Sequence, residues 1–180
     1  MTEAGPARPG PASGPAASGP AGPGAVLPEL VIDVTPTFVI AAAIATRDFQ
    51  DVHHDRDRAI QRGSKDIFIN ILTTTGLVQR YITDWAGPRA MVRQIAIRLG
   101  VPCYAGDKLT FSGRVIQVGE GPGAGAGEGA HAGEGAGAEP GGAGPAGWGG
   151  QECVVEVVGR CSLGDHVTGT VRIGPPGSAP

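Results

Sequence analysis

At 180 residues, 41% of them hydrophobic, the chain is long enough for one domain of ordinary size, but its 32 glycines and 16 prolines exceed a quarter of it. The glycines follow no three-residue period, which excludes collagen, and a formal net charge of −3 without any basic stripe excludes a surface for nucleic acid. No apolar run approaches the ~20 residues that cross a bilayer, and no basic start with an apolar stretch opens the chain, so neither a membrane nor a secretory route is expected.

The glycine and proline excess is local: 1–27, 119–150 and 174–180 hold 23 of the 32 glycines and 12 of the 16 prolines. Residues 1–27 are expected to form a disordered Ala/Gly/Pro-rich leader, since such a composition buries too little apolar surface to offset ordering entropy. The folded domain is placed at 28–173, interrupted by a low-complexity insertion at 119–150, with 174–180 as a disordered tail. Glu3, Glu120, Glu128, Glu134 and Glu139 fall in the low-complexity parts, against Arg8 alone, which leaves the remainder close to neutral.

The first patterned run, Pro36 to Thr46, reads as a strand with small residues on one face. Asp57 is expected to cap a short helix that ends near Gly63. Ile67 to Trp85 carries the longest helical pattern. Apolar residues at 68, 71, 72, 78, 82 and 85, broadened by Ile69, Leu77 and Tyr81, predict a central, well-covered helix ended by Gly87-Pro88. Short residues at its middle, Thr73-Thr74-Thr75-Gly76, predict a close packing neighbour.

Four strands follow. Arg93–Leu99 alternates with Ile95, Ile97 and Leu99 on one face. Lys108–Val118 places Leu109, Phe111 and Val115 together, and Cys153–Cys161 and His166–Ile173 are joined through Leu163-Gly164-Asp165. The predicted class is α+β: an antiparallel sheet of about five strands wrapped around one long helix. The insertion at 119–150 then replaces a hairpin turn at an entropic cost of roughly 2–3 kcal/mol, because loop closure grows only with the logarithm of length.

Chemistry concentrates at Arg47-Asp48-Phe49-Gln50-Asp51-Val52-His53-His54-Asp55-Arg56-Asp57, where four acids, two histidines and two arginines occupy eleven residues. A carboxylate and an imidazole five positions apart in irregular chain can converge on one water and act as base and acid near neutral pH. The alternative is a solvated charged loop with loosely paired surface ions. A metal site is not expected. Adjacent histidines point apart, no HExxH-like spacing appears, and Cys103, Cys153 and Cys161 lack ligand spacing and read as small core residues.

The run Asp48-Phe49-Gln50-Asp51-Val52-His53-His54-Asp55 resembles the D-x-N-P-x-H-x-D signature of the MaoC-like, R-specific enoyl-CoA hydratases, and Gly106-Asp107-Lys108-Leu109 resembles that family's later strand entry. The resemblance covers about 28–118 and 151–173 and implies the hot-dog fold. It further implies that Asp48 and His53 form the hydratase dyad, and that Gln50 and Asn70 contact substrate, with the Asn70 backbone N–H toward the thioester oxygen. Two departures stand out: Gln50-Asp51 in place of Asn-Pro, and Ile69-Asn70 in place of a His-Gly pair.

Ala45–Asp55, Thr74–Tyr81 and Leu163–Thr168 are most similar to the small subunits of heteromeric hydratases acting on steroid side chains. That implies an acyl-CoA substrate with no separate cofactor, and a second MaoC-like chain as partner in a heterotetramer. The departures also leave open a non-catalytic hot-dog subunit that stabilises a partner or binds acyl-CoA, and the fold itself leaves open a thioesterase.

Overall fold

The computed structural model describes residues 22–88, 90–119 and 151–174. Most of the expected leader (1–21), the insertion from 120 to 150 and the tail from 175 lie outside the described residues. The leader's expected boundary is too late, because Val26 already opens strand β1 (Val26–Val34) and Leu27 is in the core. Leader-like composition extends to Pro28, which conceals the strand. Pro28 falls where the β1 register shifts between Leu27 and Leu30, on an edge strand, where a missing N–H is tolerated.

Residues 36–45 form a helix, α1 (Pro36–Ala45), and not the expected strand. Thr35 caps it by accepting from the Phe38 N–H at 3.1 Å, and Pro36 occupies the first turn, where its fixed φ suits the helix and its missing N–H costs nothing. A continuous apolar run carries no period that distinguishes helix from strand. Burial of Val39 and Ala43, four residues apart, shows which period operates.

A 3-10 turn (Asp51–His53) and a short helix α2 (Arg56–Gln61) follow. Asp55, rather than Asp57, is the cap of α2, accepting from the Arg58 N–H at 3.0 Å. The long helix α3 (Ile71–Ala86) starts four residues later than its apolar pattern suggests. Ile67-Phe68-Ile69 is extended instead, tied to the chain at 103–105 by Ile69 N–H to Cys103 O (3.2 Å) and Ala105 N–H to Ile67 O (2.9 Å). Asn70 makes the transition as the cap of α3, its Oδ1 accepting from the Thr73 N–H at 2.8 Å. Ile71 and Leu72, expected within the covered stripe, are half exposed.

Strands β2 (Met91–Leu99), β3 (Asp107–Gly119), β4 (Glu152–Cys161) and β5 (Gly164–Gly174) complete an antiparallel five-stranded sheet of order β1-β3-β4-β5-β2. Helix α3 packs Leu77, Val78, Tyr81, Ile82 and Ala86 into one core with Leu109, Phe111, Val155, Val157 and Val171 of the sheet. Tyr81 stacks on Phe111 with ring centres 5.7 Å apart. The closeness of helix and sheet explains Gly113: a Cβ there would meet the Tyr81 ring at 3.2 Å and the Glu156 carbonyl at 2.9 Å. The α+β hot-dog architecture is as predicted, and it carries the loop 46–55 beside the first turn of α3.

Candidate active site

The charged stretch after α1 divides into side chains that shape the loop and side chains left over for chemistry. Helix α1 ends by turning left-handed at Arg47 (φ 55°), with Asp48 N–H bonded to Ala43 O at 3.0 Å. The Asp48 backbone is thereby fixed to the helix terminus. Asp51 pairs with Arg62 at 2.9 Å, Asp55 caps α2, and Arg56 holds Asp66 through two bonds of 2.9 and 3.1 Å. His54 places Nε2 3.1 Å from Phe49 O. These contacts are the charged-loop alternative in structural form, and they leave out Asp48 and His53.

Those two face each other. His53 Nε2 lies 3.5 Å from Asp48 Oδ2, with the side chains 8% and 17% exposed. The separation is too long for a firm direct bond and short enough for one water to be held by both groups. On its other edge, His53 Nδ1 sits 2.7 Å from Phe68 O. A carbonyl only accepts, so Nδ1 carries the proton, and in the neutral ring Nε2 is a bare base directed at Asp48. The Phe68 ring meets the imidazole edge-on, centres 4.8 Å apart, and fixes its plane.

Asn70 has a role that the sequence did not indicate. Its Nδ2 donates to Asp48 Oδ2 at 3.0 Å and to Thr46 Oγ1 at 2.9 Å, while Oδ1 takes the Thr73 amide. Because the Thr73 N–H can only donate, the amide orientation follows from the network. The side chain braces the carboxylate, and the substrate contact expected at this position is that of the backbone N–H. Gln50 is exposed, and its backbone N–H lies 3.4 Å from Asp48 Oδ1. Asn70 sits 22 residues from Asp48, and only the fold brings them together.

The α3 ladder begins with Thr74 N–H to Asn70 O at 3.0 Å. The amides of Ile71 and Leu72 precede that ladder, so this end of the helix presents donors and the positive end of its dipole beside the dyad. Apolar Ile44, Phe49, Ile71 and Leu72, neighbours in sequence of Thr46, Asp48 and Asn70, are each more than half exposed.

Elsewhere, Cys103 and Cys153 are buried as expected and Cys161 is half-buried. Burial pushes the Cys103 thiol up to about 12, with Cys161 and Asp107 adding to the shift, and the Cys153 thiol up to about 11. Spacing did not foreshadow that the Cys103 and Cys161 sulfurs and an Asp107 oxygen lie within 4.8 Å of one another. The Asp107 carboxylate there is engaged by the Ser162 hydroxyl at 2.6 Å and the Lys108 N–H at 2.7 Å. His166 is 2% exposed on β5. No helix among the described residues is long and apolar enough to cross a membrane.

No family model matches the chain. The β subunit of 3-oxo-4,17-pregnadiene-20-carboxyl-CoA hydratase from Mycobacterium tuberculosis is 52% identical over 149 residues, covering 83% of this chain and 92% of that one. The ChsH1–ChsH2 complex from the same organism contains a chain 51% identical to this one, superposing with a TM-score of 0.66 over 84% of this chain and 96% of that one. The (R)-hydratase of A. caviae involved in PHA biosynthesis shares the fold at 14% identity, with a TM-score of 0.64 over 87% of this chain and 98% of its own. With the fold shared and a relative 52% identical over 92% of its own length, the chain belongs to the MaoC-like enoyl-CoA hydratases.

Proposed function

We propose that this chain is the small, dyad-bearing subunit of a heteromeric enoyl-CoA hydratase, and that its substrate is a steroid whose shortened side chain is an α,β-unsaturated CoA thioester. The observation that carries the reading is the Asp48–His53 pair, 3.5 Å apart, with the carboxylate braced by Asn70 and the imidazole by Phe68 O. The steroid substrate and the MaoC-like partner rest on the similarity to the mycobacterial β subunit and to the two-chain complex. We place the enzyme in the cytoplasm, which suits three free thiols, and give it no cofactor, since CoA enters as part of the substrate.

In this reading one water sits on the open side of the pair, within hydrogen-bond reach of both His53 Nε2 and Asp48 Oδ2. Its oxygen bonds to the β-carbon while the π electrons move toward the α-carbon and the thioester oxygen. The pair takes the proton that the water loses and delivers one proton to the α-carbon, so that H and OH add across the double bond. Negative charge grows on the thioester oxygen during this step, and the free amides and dipole at the start of α3 stabilise it. The half-exposed apolar residues Ile44, Phe49, Ile71 and Leu72 give the partner and the acyl chain a surface to cover. A non-catalytic role was suggested by the asparagine at position 70. A side chain that steadies a reactive carboxylate favours catalysis instead.

The test is the complex purified with its natural partner, followed by loss of enoyl-thioester absorbance. Asp48→Ala and His53→Ala are expected to lower turnover by about 10²–10⁴-fold with assembly intact, the usual contribution of a positioned acid or base. Unchanged turnover would refute the assignment. A thiol reagent separates the thioesterase reaction, because hydration releases no CoA.

A further inference from the structure

Behind Asn70 lies a second set of polar contacts that the water-activating chemistry does not touch. Thr74, 0% exposed, places Oγ1 2.9 Å from His166 Nε2, and the other ring nitrogen of His166 lies 2.8 Å from Val101 O. As at His53, a carbonyl partner fixes the proton on Nδ1, so Nε2 of the neutral ring accepts and the Thr74 hydroxyl donates. Burial lowers the pKa of His166 and keeps that neutral form dominant. With its one proton on His166, the Thr74 hydroxyl does not donate to Asn70 O, 3.1 Å away; that carbonyl receives the Thr74 backbone amide at 3.0 Å instead.

From these distances we infer that Thr74 and His166 are a positioning pair for hydration: they fix the first turn of α3 against β5 and, through Asn70, set Asp48 opposite His53. Contacts of 2.8, 2.9, 3.0 and 3.0 Å run from Val101 O through His166, the Thr74 hydroxyl and backbone amide, and Asn70 to the Asp48 carboxylate. Two buried polar groups in an otherwise apolar interface cost desolvation that a pair of aliphatic side chains would avoid. Hydrogen bonds supply direction in exchange. The apolar stripe of Leu77, Val78, Tyr81 and Ile82 holds α3 on the sheet, yet allows small sliding and rotation that a directed bond at position 74 prevents. The site tolerates little such movement, because a displacement of about 1 Å costs on the order of 10²-fold in rate.

This inference rests on the hydratase reading, and the experiment separates the two. In the purified complex, Thr74→Val keeps side-chain volume and removes the donor. Turnover per folded complex is expected to fall about 10- to 100-fold while KM stays within about twofold, since the acyl and CoA contacts are untouched. Thr74→Ser restores the hydroxyl and is expected to return kcat to within about threefold. In an Asp48→Asn background the valine substitution is expected to cost several-fold less than in the wild type, since part of its effect acts through that carboxylate. Should Thr74→Val fail to assemble, His166→Gln, which keeps an acceptor, against His166→Leu, which has none, makes the same comparison. Unchanged kcat in Thr74→Val, or in His166→Leu where that pair is used, would overturn the inference, as would failure of serine to rescue. Full activity in Asp48→Ala would instead overturn the hydratase reading itself.

Discussion

Asn70 does two jobs that a pair of substitutions can separate. Its Oδ1 caps α3, and its Nδ2 holds the Asp48 carboxylate. Asn70→Ala removes both. Loss of a cap costs about 1 kcal/mol, and loss of a bond to a charged group about 1.5–3 kcal/mol. Asp48 is partly solvated, at 17% side-chain exposure, so the lower end of the second range applies and the total is about 2–3 kcal/mol. Asn70→Ser keeps a capping oxygen but is too short to reach Asp48, so it should be about 1 kcal/mol more stable than the alanine variant. Turnover should not follow that order: both variants lose the brace and both should fall at least tenfold in kcat. The assay is enoyl-thioester hydration by the assembled complex, with urea unfolding of each complex at one fixed concentration. Wild-type turnover in Asn70→Ser would refute the bracing role, and equal stability of the two variants would refute the cap.

Two further outcomes follow from burial. The folded-state pKa of His166 is depressed below 6.5, so on acidification the unfolded chain takes up a proton that the folded chain refuses. Stability should therefore fall as pH drops below about 6.5 and level off below the folded-state value, and His166→Gln should remove that component of the slope in urea midpoints measured from pH 8 to 5. Tyr81 OH is buried with no hydrogen-bond partner among the described residues, and burial, with Glu29 adding, raises its pKa to about 12. Tyr81→Phe keeps the stack on Phe111 and removes an unpaired polar atom, so thermal unfolding of the complex should show no loss and a gain of up to ~1 kcal/mol. A loss of more than that would mean the phenol has a partner in the assembly.

What could be read in the sequence was what is local. Asp48 and His53 are five positions apart in one loop, and the loop's own turns close the distance, so spacing alone raised the pair. Strands β3, β4 and β5 alternate cleanly and were legible within a residue or two. Strand β1 was hidden by Pro28 and its glycine-rich flank, and α1 by a run with apolar residues in every direction. The start of α3 was misplaced because Ile67 and Ile69 are buried for a different reason than Leu77 and Val78: they pack as extended chain against 103–105. Asn70 to Asp48 spans 22 residues, and Thr74 to His166 spans 92. Contacts like these follow from strand order, which the periodicity of no single segment encodes.

A loop this rich in charge invites the view that its acids and bases are interchangeable solvent-facing groups, and most of them do answer each other locally. What singles out Asp48 and His53 is that each is restrained from outside the loop, one by the Asn70 amide at the cap of α3 and the other by the Phe68 carbonyl on the extended segment before it. A surface ion pair gains little, because both partners must give up rotameric freedom to meet. Here that freedom is removed by Asn70 and Phe68, which hold the two groups 3.5 Å apart in a fixed geometry. A carboxylate and an imidazole nitrogen held side by side in this way can both reach one water on their open side. That arrangement suits a protein that must place a water, and in the proposed hydratase reading the helix start beside it stabilises the charge that grows on the thioester oxygen.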